Sequence, residues 1–183
     1  MSHYKPVKKT SFLEAVAACI QHEKKVFEFY MRNSESLKDG SVKDIFTQLA
    51  EDQDDHIKMV SDLYSQIKGG EALPNLKMAA QVQDLNSSSI QKLMSKLDRN
   101  TEADAGGDEL DALALATREH EDAAEFFAKT KEKFEDPNAR FLFAQMESFQ
   151  NECRMLLESY SAYLSQGTPY SQPSGYWDME GQA

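Results

Sequence analysis

The sequence predicts an all-α fold, a four-helix bundle made of two duplicated helical pairs. Apolar residues recur at intervals of three, four and seven over four long stretches, as on the buried face of an α-helix. Adding 97 to a residue number in the first half leads, without any gap, to a matching residue in the second half. The segment 69–107 between the pairs is too long for a tight hairpin and suits a bundle crossover. The matching residues are Leu13, Ala15, Ala17, Glu28, Phe29, Asp39, Phe46, Gln48 and Gln53, which become Leu110, Ala112, Ala114, Glu125, Phe126, Asp136, Phe143, Gln145 and Gln150.

The first helical pair is predicted over residues 11–67. A helix over 11–36 would begin with Ser11 and Glu14 as a capping box, because a serine followed three residues later by glutamate satisfies the first free backbone N–H groups. Residues 38–41 form a turn, and a second helix over 42–67 would end at Gly69 and Gly70. The apolar positions of the two helices are Val16, Ile20, Phe27 and Tyr30, then Ile45, Phe46, Leu49, Met59, Val60 and Leu63.

The crossover 69–107 contains Pro74, and three serines from Ser87 could start a short helix that runs to about Leu97. Residues 103–107 are predicted as a loop.

The second helical pair is predicted over 108–134 and 137–164, separated at Pro137, which is tolerated only in the first turn of a helix. We assign residues 1–167 to the bundle domain and 168–183 to an irregular tail, either docked through Tyr176 and Trp177 or disordered. The apolar positions are Leu110, Leu113, Thr117, Ala124 and Phe127 in the third helix, and Leu142, Phe143, Met146, Phe149, Met155, Leu156 and Tyr160 in the fourth.

Length and charge restrict the class of protein. With 183 residues the chain suits one domain, and its net charge of -11 argues against binding to nucleic acid or to an anionic membrane. The chain has only two cysteines, no apolar core of a signal peptide and no apolar run long enough to span a membrane. We therefore expect a reduced, cytoplasmic protein.

Six polar residues interrupt the apolar stripes at equivalent places in the two halves. Residues three apart on a helix point to the same side, so both pairs on the second and fourth helices should face inward. Because buried polar groups without partners are costly, these coincident placements indicate a common site. The pairs related by the repeat are Glu23 and His120, Gln53 and Gln150, and His56 and Cys153.

The segments 23–30 (EKKVFEFY) and 46–56 (FTQLAEDQDDH), with weaker copies at 120–127 and 143–153, resemble the rubrerythrin family of the ferritin-like superfamily. The resemblance covers about residues 10–165 and implies a ferritin-like four-helix bundle. In that family each half supplies a glutamate and a Glu-x-x-His motif, and the two irons they bind act on peroxide or oxygen. The rubredoxin module of many members needs Cys-x-x-Cys motifs that this sequence lacks, so a separate electron donor is implied. The resemblance also implies a homo-oligomer, most simply a dimer.

Position by position, Glu23 and His56 keep the ligand types of the family. Glutamines replace two glutamates, His120 replaces a third, and Cys153 replaces a histidine. Two divalent irons carry four positive charges, which one carboxylate and one thiolate do not offset, so the substitutions argue against a conventional di-iron centre. The sequence instead predicts one metal ion, iron or zinc, held by Glu23, His56, His120 and Cys153, with Gln53 and Gln150 as weak ligands or as donors to the ligands.

Several alternatives stay open at this point. A metal-free polar core could fill the old site, and the bundle would then be a non-catalytic scaffold. Asp52 and His56, four residues apart, could also share a face, and a register slip of one residue would bring Glu51, Asp52 or Asp55 closer to the site. Cys19 is expected to be a core thiol. Tyr30, one turn from the site, is expected in the core, or as the donor of a hydrogen bond or an electron to a metal-bound oxidant. His22 and Glu119, the neighbours of inward residues, are expected to point sideways or to solvent.

Overall fold

A computed structural model describes residues 12–67 and 89–166 of the chain. These ranges contain five α-helices and no strand, so the predicted all-α class is confirmed. The Ser11–Glu14 capping box, the glycine pair after the second helix and the tail 168–183 with Tyr176 and Trp177 lie outside the described residues. The helices are α1 (Phe12–Ser36), α2 (Ser41–Ile67), α3 (Ser89–Glu102), α4 (Glu109–Lys131) and α5 (Pro137–Gln166).

The second helical pair begins at two aspartate caps. The Asp108 carboxylate accepts a hydrogen bond from the Asp111 backbone N–H at 2.8 Å, which places the start of α4 where the sequence predicts it. Asp136 accepts from the backbone N–H groups of Asn138 and Ala139, each at 2.9 Å, and Pro137 occupies the first position of α5. The boundary between α4 and α5 therefore follows directly from local sequence.

The bundle core consists of two apolar clusters stacked along the helix axes. One cluster surrounds Tyr30 and Phe46, and the other surrounds Val16 and Phe143. Three residues predicted for the apolar stripes are instead 39 to 50% exposed: Met59, Leu110 and Met155. Val60 and Leu156, which directly follow Met59 and Met155, and Leu113, three residues after Leu110, are buried.

Helix α3 is longer than predicted, since it continues to Glu102, and it binds the α1 and α4 side of the bundle. Lys25 pairs with Asp98 at 2.7 Å, and Arg32 donates to the backbone oxygen of Thr101 at 2.5 Å. The Asp122 carboxylate on α4 receives Lys96 at 2.6 Å and the Asn100 amide at 2.7 Å. Helix α3 thus covers one side of the bundle.

Within the described ranges, no helix combines the length and the apolarity that a membrane span requires.

Candidate metal centre

All six predicted site residues are buried at one level of the bundle, where the two apolar clusters meet. Along each of the four long helices, residues of one cluster lie before this level and residues of the other lie after it. The inward register predicted from the apolar stripes is therefore the register that the helices adopt. The residues are Glu23, Gln53, His56, His120, Gln150 and Cys153, each at most 4% exposed.

Four of the six residues, together with Tyr30, form a continuous chain of hydrogen bonds across the bundle, called here the inner network. His56 Nδ1 lies 3.2 Å from Glu23 Oε2, and Gln150 Nε2 donates to Glu23 Oε1 at 3.0 Å. His120 Nδ1 lies 2.6 Å from Gln150 Oε1, and the Tyr30 hydroxyl contacts His120 Nε2. The inner network is His56, Glu23, Gln150, His120 and Tyr30, in that order.

The amide of Gln150 sets the direction of every hydrogen bond on the His120 side. Since its NH₂ group faces the Glu23 carboxylate, its carbonyl oxygen must accept, and His120 Nδ1 must carry the proton. His120 Nε2 is then an acceptor for the Tyr30 hydroxyl. Burial lowers the pKa of His120 below its ordinary 6.5, and burial raises the pKa of Tyr30 well above its ordinary 10, so both groups are neutral as this arrangement requires.

His22 and Glu119 are expected from the sequence to point sideways or to solvent, and the structure shows that neither is exposed to solvent. The side chains are 2% and 0% exposed, and His22 Nε2 lies 2.7 Å from Glu119 Oε1. Neither atom has the alignment of a hydrogen bond, so the contact is a close but misaligned ion pair. Burial alone would lower the pKa of His22, but the adjacent Glu119 carboxylate outweighs it and raises the pKa above 6.5.

The repeat offered a signal for this pair that the apolar stripes did not. Glu119 lies 97 positions after His22, so polar residues recur beside the inner positions in both halves. Glu119 also adds a second fully buried carboxylate. The predicted count of one carboxylate at this level was therefore too low.

Part of the buried level has no hydrogen-bond partner among the described residues. Both amide atoms of Gln53 and the Nε2 atom of His56 are in this position. The His56 ring stacks on Phe149 with centroids 3.8 Å apart, which fixes its orientation. Buried polar atoms of Gln53 and His56 on α2 thus lack hydrogen-bond partners, whereas both ring nitrogens of His120 have one.

The remaining candidates take the more ordinary roles. Glu51 and Asp55 are exposed, and Asp52 accepts a hydrogen bond from Gln48 at 3.0 Å, so the alternative register of α2 is not adopted. Cys19 is fully buried in the cluster around Val16 and Phe143, where burial raises the pKa of its thiol well above the ordinary value. Cys153 is 1% exposed and belongs to the cluster around Tyr30 and Phe46.

The arrangement does not fit a di-iron centre. Both oxygens of Glu23 and both nitrogens of His120 are already hydrogen-bonded. His56 turns Nδ1 to Glu23, so its free Nε2 points away from that carboxylate. Within residues 12–67 and 89–166, no three His, Cys, Asp or Glu side chains converge as metal ligands do. The single metal ion at Glu23, His56, His120 and Cys153 stays a prediction.

The helix order and the buried polar level of the described residues are consistent with a ferritin-like bundle. The family model for rubrerythrin matches residues 14–149, which is most of the chain. The chain belongs to the rubrerythrin family of ferritin-like, metal-binding proteins. No curated protein matches it. The fold is similar to that of a hypothetical protein from Pyrococcus furiosus, with 21% identity, coverage of 90% of this chain and 99% of that one, and a TM-score of 0.56.

Proposed function

We propose that this chain is a rubrerythrin-family bundle in which the inner network replaces the di-iron centre, and that it acts as a non-catalytic scaffold. The observation that carries the proposal is Gln150, whose amide joins the Glu23 carboxylate to His120. A glutamate at this place would set a second carboxylate about 3 Å from Glu23, an arrangement that cations must offset. The amide removes that repulsion and supplies the donor that the carboxylate needs.

The hydrogen bonds of the inner network also stabilise the folded bundle. Hydrogen bonds in a buried, low-dielectric site reinforce one another when every member is satisfied. Leaving one member without its partner costs about 1–3 kcal/mol, so the His120 side resists the rearrangement that metal binding would demand.

A second function is supported by the unpartnered atoms on α2. His56 Nε2 and both amide atoms of Gln53 are buried and have no hydrogen-bond partner among the described residues. One iron or zinc ion held by the predicted set of Glu23, His56, His120 and Cys153, with Gln53 as a weak ligand, would give these groups a partner. The His56 ring would have to turn, and Glu23 and His120 would have to leave their present partners. Such a protein would be an oxidoreductase acting on peroxide or oxygen in a reduced, cytoplasmic compartment, with electrons from a separate partner.

Metal stoichiometry distinguishes the two functions. Protein purified without chelator, then incubated anaerobically with iron(II) or with zinc, is measured by plasma mass spectrometry. The scaffold predicts no bound metal, whereas the oxidoreductase predicts one ion per chain that His56→Ala abolishes while helix content stays unchanged.

A carboxylate-restored variant is the matched control. Gln53→Glu, Gln150→Glu and His120→Glu together return three carboxylates to the buried level, so this variant should gain up to two irons per chain. If the restored variant binds no iron, the six side chains are not the inner site of the bundle. A wild-type protein without metal would then not support the scaffold function.

A further inference from the structure

A groove lies on the outer surface between α4 and α5, beside the last turns of α5. Its volume is about 470 Å³, and its lining comes from the stretches 114–121 of α4 and 158–166 of α5. Since an α-helix rises 1.5 Å per residue, the groove is about 12 Å long, which equals about four residues of extended chain. Small side chains supply much of the lining, namely Ala114, Ser161, Ala162 and Ser165. The groove therefore has room for a short extended segment that carries one large side chain.

Arg118 is the one basic residue among those that line the groove. It forms no ion pair with any described residue, although acidic residues outnumber basic ones by 31 to 20 in the chain. Its guanidinium group thus keeps its donors for a carboxylate that comes from outside the described helices. Glu121 and Glu158 also line the groove, so a carboxylate is attracted only where it lies directly on Arg118.

The groove starts where α5 ends, so the segment that follows α5 is its nearest occupant. Gln166 is the last residue of α5 and is also part of the lining. Gly167 and Pro169 follow it, and a glycine just after a helix with a proline soon after it is a common signal for the chain to turn away from the helix axis. Trp177 comes eleven residues after Gln166, so up to about 36 Å of extended chain connects it to the groove. This length is ample for a return over α5.

The tail 168–183 carries side chains that match the groove. Trp177 is the only tryptophan of the chain, and a side chain of this size gains much from leaving water. The charged residues of the tail are Asp178 and Glu180, so both are acidic and can pair with an arginine. Because Asp178 directly follows Trp177, one short segment brings the large apolar group and the carboxylate together.

We propose that the tail folds back over α5, with the Trp177 indole ring on the small residues of the groove and the Asp178 carboxylate on the Arg118 guanidinium. A contact of one side chain and one ion pair is too small to hold a separate protein, which needs about 1,200 Å² or more of buried surface. The tail belongs to the same chain, however, and meets the groove at an effective concentration of about 1 mM. The small contact is then sufficient, and it joins the last turns of α5 to the first turns of α4.

The fluorescence of Trp177 tests the docking, because the only tryptophan of the chain lies in the tail. In the native full chain its emission maximum should lie at a shorter wavelength than in the chain unfolded by urea, and acrylamide should quench it at least about threefold less. Neither quantity should depend on protein concentration, since the docking is within one chain. A Trp177 that is quenched equally in the native and unfolded chains, or that is protected only at high protein concentration, overturns the proposal.

Charge reversal at Arg118 tests the position of the tail. Arg118→Glu gives the groove a third carboxylate and should weaken docking by about 10-fold or more, so that quenching approaches that of the unfolded chain. Arg99→Glu is the matched control, since it makes the same change at an exposed arginine of α3 outside the groove, and it should leave the quenching of Trp177 unchanged. Circular dichroism verifies that both variants keep their helices.

A second charge reversal tests the ion pair itself. Asp178→Arg, added to Arg118→Glu, brings opposite charges together again and should restore most of the protection of Trp177. Protection that survives Arg118→Glu shows that the tail does not dock in this groove. Protection that is lost in Arg118→Glu and does not return with Asp178→Arg shows that Asp178 does not pair with Arg118, and it also overturns the proposal.

Discussion

Removing the hydroxyl of Tyr30 tests whether the last hydrogen bond of the inner network, from Tyr30 to His120, stabilises the fold. Tyr30 is 1% exposed, and its hydroxyl is the donor to His120 Nε2. Tyr30→Phe keeps the ring and its packing on Phe46, but it leaves a buried acceptor nitrogen without a partner. Such a loss costs about 1–3 kcal/mol. For a chain of this size each kcal/mol lowers Tm by about 2–4 °C, so we expect a decrease of about 2–12 °C.

Tyr160→Phe is the matched control, because it removes a hydroxyl whose partner, Ser41, is exposed. Water replaces the lost hydrogen bond there, and the expected cost is at most about 1 kcal/mol. Both variants are compared with the wild type by thermal and urea unfolding at neutral pH. If Tyr30→Phe is as stable as the wild type, or no less stable than Tyr160→Phe, the hydrogen bond from Tyr30 to His120 does not stabilise the fold and the inner network does not extend to Tyr30.

Three further predictions concern the caps, the crossover and the buried ion pair. Asp136→Ala removes the N-cap of α5 and should lower the free energy of unfolding, measured in urea, by about 1 kcal/mol. Asp39→Ala is the control at the equivalent position of the first half, where the carboxylate is 97% exposed, and should change that free energy by less than about 0.5 kcal/mol. Asp122→Ala removes the acceptor that joins α3 to α4, so amide hydrogen exchange over 96–102 should accelerate while α5 stays protected; unchanged exchange would contradict this anchoring. Because the folded pKa of His22 lies above 6.5, its pairing with Glu119 stabilises the fold fully below about pH 6.5 and is lost as pH rises through the folded pKa. The stability difference between the wild type and a His22→Gln, Glu119→Gln double variant should therefore be largest below about pH 6.5 and shrink as the pH rises above it. A difference that does not change with pH would show that His22 does not titrate there.

The fold and the inward register could be predicted from the sequence because both depend on periodicity. Apolar spacing predicted four long helices, and the interruptions at Glu23 and His120 predicted a buried polar level. Aspartate and proline at the start of α5 predicted its boundary, since caps act over three or four residues. Local rules of this kind need no knowledge of the tertiary arrangement.

The burial of His22 and Glu119 could not be predicted from stripes, since each lies about 100° around its helix from an inward residue. In a bundle of four helices that direction leads to the boundary with solvent. Here the crossover helix covers the same side through Asp98 and Asn100, and Asp98 is close enough to His22 to contribute to its raised pKa. The hydrogen bond from Tyr30 to His120 joins residues 90 apart and likewise depends on tertiary packing.

The pairing of His22 with Glu119 has a consequence for how the two halves came to differ. When two identical helical pairs associate symmetrically, a residue that meets its own equivalent must face a copy of itself, so this position would offer two histidines or two glutamates. Two carboxylates buried in contact repel, and so do two imidazolium groups. Once both halves belong to one polypeptide, each can mutate alone, and His22 can face a residue of opposite charge. Covalent fusion thus permits a charge-complementary pair at a place where strict symmetry forbids one.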